Sequence, residues 1–132
     1  VLGMAFKGVP ETNDLRGSPA IDLVNSLSES IVNGEVYCWD PVIPSSELLS
    51  YGFKSKSTLD EVLEGVCAIV LVNNHPELDN LDLVALSETS SGTMLIYDFW
   101  GRNDHNQSLA GNRHYHSWGN HSKARINKSN FN

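Results

Sequence analysis

Lys7 and Arg16 flank a polar loop in "FKGVPETNDLRGSP", between an apolar strand-like run, "VLGMAF", and an amphipathic helix pattern. A lysine offers a compact point charge to a polyanion, and an arginine offers a planar fork matched to phosphate or carboxylate oxygens. Two cations around one loop therefore suit an anionic ligand, and the acidity of the surrounding chain makes them stand out. Residues 1–104 hold all 16 acids and five of the 9 cations, five minus sixteen or −11, whereas residues 105–132 hold four cations and no acid. Such a balance argues against a nucleic-acid surface, which needs a basic face.

Other chemistry is missing or muted. Gly3 and Gly8 have the spacing of a phosphate loop, but Val9-Pro10 follows where Lys-Ser/Thr would be needed, and neither G-x-G-x-x-G nor G-x-S-x-G occurs. Cys38 and Cys67 sit in the apolar runs "EVYCWD" and "VCAIVLV", so both are expected as buried, reduced thiols in a reducing cytosol, without a nucleophilic role. Acids are absent from the places where a phospho-receiver domain needs them, which hold Phe6-Lys7 and Asn73-Asn74. Asp40 is expected to cap the loop after its strand, His75 to serve a turn before Pro76, and Trp39 and Trp100 to pack, although an exposed aromatic near a strand end could stack on a base. His105, His114, His116 and His121 are read as solvated, with no metal site. The sequons at Asn106, Asn120 and Asn127 are read as an accident of an Asn/Ser-rich stretch.

The elements that must position these residues alternate. Ser18-Pro19 reads as an N-cap and first helical position, with Ala20, Leu23, Val24, Leu27 and Ile31 at helical spacing until Asn33-Gly34. "EVYCWDP" predicts a strand stopped by Pro41, "SSELLSYG" a short helix, and the residues through Phe53 an extended piece. "STLDEVLEG" carries two overlapping capping boxes, Ser57 with Asp60 and Thr58 with Glu61. "CAIVLV" predicts a doubly buried central strand, "LDLVALSE" a helix and "TMLIYDF" a further strand. This alternation predicts an α/β fold with three layers, Rossmann-like, in which helices flank a mainly parallel sheet. Ligands of such sheets bind at the carboxyl ends of the strands, here Phe6-Lys7, Asp40, Asn73 to His75 and Asp98. Residues 1–104 are expected to form one domain and residues 105–132 a polar, mobile tail. No apolar run approaches a membrane span, and a strand opening at residue 1 suggests a longer parent chain.

"LGMAFKGVPETNDLRGSPAIDLV" resembles the start of the C-terminal, nucleotide-sugar-binding domain of the UDP-glucose/GDP-mannose dehydrogenase family. The family pattern is a strand ending in Gly-x-Ala-Phe-Lys, a polar loop, Asp-x-Arg-x-Ser-Pro and a helix. "VYCWDP", "AIVLVNNHPEL" and "LIYDFWGRND" match later family segments in order, over about residues 1–104. The resemblance implies an NAD-dependent oxidation of the sugar C6 hydroxyl to a carboxylate, feeding polysaccharide precursors, by a cytoplasmic homodimer. Its NAD domain and its central segment with the catalytic cysteine would lie outside this chain. By motif, Phe6, Lys7 and Arg102 would contact the nucleotide sugar, a UDP-sugar above all, and Arg16 would reach the NAD site. None of these residues would be catalytic. Two departures are visible: the loop from Phe6 to Arg16 is about two residues longer than the pattern, and Phe99-Trp100-Gly101 replaces a single glycine between Asp98 and Arg102. A stand-alone nucleotide-binding or interaction module is the alternative reading.

Overall fold

Ser18 and Pro19 start the first helix as their chemistry requires. Ser18 Oγ accepts the amide of Ala20 at 3.2 Å, Pro19 occupies a position that needs no intrahelical donor, and α1 runs Pro19–Ser30 with Ala20 and Val24 buried. The computed structural model describes residues 1–79, 81, 82, 85, 92–103 and 113–117. After α1 come β1 (Tyr37–Cys38), α2 (Ser45–Ser50), β2 (Lys54–Ser55), α3 (Leu59–Leu63), β3 (Ala68–Leu71), a 3-10 turn (Pro76–Leu78), β4 (Met94–Asp98) and β5 (Arg113–Ser117). Of the two capping boxes in the sequence, α3 uses Thr58 and Glu61, each side chain bonding the other's backbone amide.

Among the described residues every strand pair is parallel. β1 pairs with β2, with Tyr37 opposite Lys54, while β3 pairs with β4 and β4 with β5, with Ala68 opposite Leu95 and Met94 opposite Arg113. The opening segment joins these two groups. Leu2 bridges both Trp39 and Leu71, through Leu2 N–H to Val70 O at 2.8 Å, Val72 N–H to Leu2 O at 2.9 Å and Gly3 N–H to Trp39 O at 2.9 Å. Across the sheet the order is therefore β2, β1, opening segment, β3, β4, β5. The chain starts in the middle, runs out to one edge, and crosses back to build the other half. The predicted α/β architecture is the observed one.

The opening run makes single bridges because Gly3 turns out of strand geometry. Its φ is +89°, and a Cβ there would stand 2.6 Å from Asn73 Oδ1, so only glycine fits. Apolar residues divide between the two sheet faces. Met4, Leu15, Val24, Ile43 and Leu48 pack with α1 and α2 on one; Leu2, Val62, Leu63, Ile69, Leu71, Met94 and Ile96 pack with α3 on the other.

Three expectations are corrected. Residues 113–117 are a strand, not tail: Tyr115 is half-buried against the core and Ser117 is buried. An edge strand has one neighbour and needs little apolar sequence, which is why "RHYHS" gave no sign of it. Cys67 is exposed in the bend before β3, whereas Cys38 is buried as expected. β3 is one of the two central strands, but Ala68 is exposed and Val70 half-buried, so its burial alternates. Of the helix expected over residues 81–88, Leu81, Asp82 and Ala85 are described, and Asp82 Oδ1 accepts the Ala85 amide at 2.9 Å as a cap would. His105, His121, the three sequons and the rest of the expected tail lie outside the described residues.

Candidate functional site

In a sheet of this order, the crevice for a ligand opens where the chain reverses direction across the sheet, at the carboxyl ends of the opening segment and β3. The loop that carries Lys7 begins there, and it is clamped at successive residues. The Ala5 amide donates to Asp40 Oδ2 at 2.8 Å, the Phe6 amide to Asp14 O at 2.8 Å, and the Gly8 and Val9 amides both donate to Asn74 Oδ1, at 3.0 and 3.1 Å. Gly8 lies so close to the turn after β3 that a Cβ would come within 2.0 Å of His75 N. Lys7 thus sits between fixed neighbours with its side chain exposed, and it has no carboxylate partner among the described residues. Phe6 is exposed too, its ring 3.9 Å from where a Gly17 side chain would begin.

Arg16 is held differently. Asp14 receives Nε and Nη2 of Arg16 as a fork, with Oδ2 to Nη2 at 2.8 Å, and also accepts the Arg16 amide at 2.9 Å. Those bonds hold the Asp14 carboxyl down at about 2 and raise the already high value of Arg16. The guanidinium side chain is 87% exposed. Arg16 and Lys7 therefore share one loop, closed at its base by the Phe6–Asp14 bond.

The same loop is strapped to the turn after β3 by Glu11 and His75. His75 Nδ1 accepts the Glu77 amide at 3.2 Å, which caps the 3-10 turn and leaves the proton on Nε2, 2.9 Å from Glu11 Oε2. The turn role expected for His75 is the one it has. Asp40 also acts as expected: beyond Ala5 it accepts the Val42 and Ile43 amides, at 2.8 and 3.0 Å, and it is buried. Asp98 does the equivalent work for the loop after β4. Its Oδ1 accepts the Trp100 and Gly101 amides, and its Oδ2 accepts the Asn103 amide and the Tyr115 hydroxyl, the latter at 2.8 Å.

Arg102 lies on that β4 loop, two strand positions from the opening segment, or about 10 Å at ordinary strand spacing. Its Nε and Nη2 fork onto both oxygens of Asp79. The structure therefore brings Phe6, Lys7 and Arg16 together, and places Arg102 at the same sheet end but engaged elsewhere. Sequence reasoning placed Asn74 at a strand end but missed that it fixes the Lys7 loop. Cys38 is unsuited to nucleophilic work, because burial pushes its thiol up to about 11 and Sγ donates to Lys54 O. Among the described residues no three metal-ligating side chains are gathered.

Comparison with known proteins matches residues 1–105 to the UDP binding domain of the UDP-glucose/GDP-mannose dehydrogenase family. The chain is 30% identical over 96 residues to UDP-N-acetyl-D-mannosamine dehydrogenase of Pyrococcus horikoshii, covering 73% of this chain and 20% of that protein. It is 28% identical over 123 residues to UDP-glucose 6-dehydrogenase YwqF of Bacillus subtilis (90% and 26%), and 30% identical over 98 residues to TuaD, another UDP-glucose 6-dehydrogenase of that organism (73% and 20%). The chain thus spans about a fifth to a quarter of the length of these relatives.

Proposed function

The chain belongs to the UDP-glucose/GDP-mannose dehydrogenase family, matching its UDP binding domain, and from that membership we propose that it is the nucleotide-sugar wall of an NAD-dependent UDP-sugar dehydrogenase. The reaction is oxidation of the sugar C6 hydroxyl to a carboxylate, as a step toward polysaccharide precursors, carried out in the cytoplasm by a longer, homodimeric protein. The observation that carries this reading is Lys7: a cation without a carboxylate partner among the described residues, on a loop fixed by Asn74 and Asp40 at the point where the sheet reverses. In this role Lys7 holds the diphosphate, Phe6 covers the ligand beside it, and Arg102 meets the anion from the β4 side by giving up Asp79.

NAD, when bound, would supply the hydride acceptor, two equivalents for the four-electron change from alcohol to carboxylate, with water giving the second oxygen. What the described residues offer toward NAD is Arg16, whose exposed fork fits a pyrophosphate and already grips a carboxylate. Arg16 would meet the cofactor from outside, while the cofactor's main site and the catalytic cysteine belong to other parts of the longer protein.

Calorimetric titration of the chain with UDP, GDP, NAD and inorganic phosphate tests this, with Lys7→Ala alongside. UDP should bind most tightly, and Lys7→Ala should weaken it by roughly tenfold or more, the scale of one hydrogen bond to a charged group. Equal binding of UDP and phosphate, or a Lys7→Ala variant that binds UDP as the parent does, would overturn the reading.

A further inference from the structure

Trp100 combines two properties that rarely go together. The residue is 55% exposed, yet its orientation is fixed: the backbone amide donates to Asp98 Oδ1 at 3.0 Å, and the indole Nε1–H donates to Val72 O at 2.9 Å. The second bond reaches from the end of β4 to the end of β3 and spends the only polar group of the indole on the protein. What is left for a ligand is an aromatic face, held in place before any ligand arrives. A residue that served only to pack would bury that face, since burying an aromatic ring is where its stabilisation comes from.

Its position narrows the assignment. Val72, Asn73 and Asn74 form a short ridge at the carboxyl end of β3. Trp100 is tied to one end of the ridge at Val72, and the Lys7 loop is tied to the other end through Asn74. Both attachments are made to the residues that follow β3, so an exposed aromatic face and a lysine with no carboxylate partner among the described residues stand at the same end of the sheet, where the crevice opens. Trp100 lies in the Phe99-Trp100-Gly101 stretch, where the family pattern has a single glycine, so it is a feature of this chain rather than of the family pattern.

We propose that Trp100 is a stacking platform for the nucleobase of the ligand. The proposal rests on the nucleotide-sugar reading and adds a base-contacting residue from the β4 loop. A planar base suits an indole that has no free hydrogen-bond donor, because stacking uses the face alone and tolerates any orientation within its plane.

The full chain is titrated with UDP, uridine and glucose, following tryptophan emission and heat, in the parent, Trp100→Leu, Trp100→Phe and Lys7→Ala. UDP and uridine should quench emission saturably and glucose should not. Trp100→Leu should weaken UDP binding roughly tenfold or more. Trp100→Phe should keep most of the affinity and lose the quench, which assigns the signal to Trp100 rather than to Trp39 or Trp118. If Trp100→Leu proves unfolded by circular dichroism, the parent and Trp100→Phe decide alone. Lys7-dependent UDP binding with an unchanged quench in Trp100→Phe, or quenching by glucose and not by uridine, overturns the platform and leaves the nucleotide-sugar reading standing. Absence of UDP binding in the parent overturns both.

Discussion

Among the described residues, Arg16 carries its own counter-ion and Lys7 has none. That difference separates two cations that look equivalent in the sequence. An anion arriving at Arg16 must displace Asp14, whereas one arriving at Lys7 has no carboxylate of the described residues to displace. Asp14 reports the state of the pair. Its folded value of about 2 lies below the ordinary 3.8, so the pair's contribution is complete above about pH 4 and is lost as pH falls through 2. In an NMR titration the Asp14 carboxyl should change near pH 2, and Arg16→Gln should return the midpoint toward 3.8; a midpoint unmoved by that substitution would show that the fork does not form in solution. Both partners are exposed, so the change in overall stability should be small. At this scale the sequence was partly legible. Lys7 and Arg16 stand inside a motif, but Asn74 bonds backbone more than sixty residues away, and no local pattern announces such a bond.

The loop between the opening segment and α1 is fixed by a close approach rather than by its own sequence. Gly8 packs on the backbone of the turn after β3, with 2.0 Å available where a Cβ would go, so Gly8→Ala must push the two loops apart and break the Asn74 bonds. The expected cost is more than about 2 kcal/mol in chemical denaturation, with UDP binding reduced further than the stability loss explains. A melt and an affinity equal to the parent's would show that the loop has room to move. Helices α1 and α3 were readable because their caps are local, Ser18 with Ala20 and Thr58 with Glu61. Strand β5 was not, because its partner is β4, across a crossover, and its sequence carries no apolar run to announce it.

As a whole the molecule is acidic, at −7, and would meet the proposed anionic ligand with a few local cations. Such a surface gives little long-range attraction, so affinity must come from contacts, and one wall of a cleft supplies part of them. Joined to the remainder of a protein of its relatives' length, the chain should bind UDP at least tenfold more tightly in calorimetry than it does by itself; equal affinities would mean that this domain holds the nucleotide alone. The alternation of strands and helices made the layered fold legible. The order of strands was not, since parallel pairing is set by crossovers between distant segments and not by any residue next to its partner.

Leu2 takes its two partners from about a quarter and about half of the chain length away. Each half of the sheet pairs segments that follow one another, whereas the joint between the halves requires long loops to close, at a cost that grows only slowly with loop length. The Lys7 loop and Trp100 are both tied to the residues that follow β3, next to that joint. The crevice is therefore absent until the halves meet, and a ligand lying across it acts on the docking of two folding units, stabilising their union rather than either one.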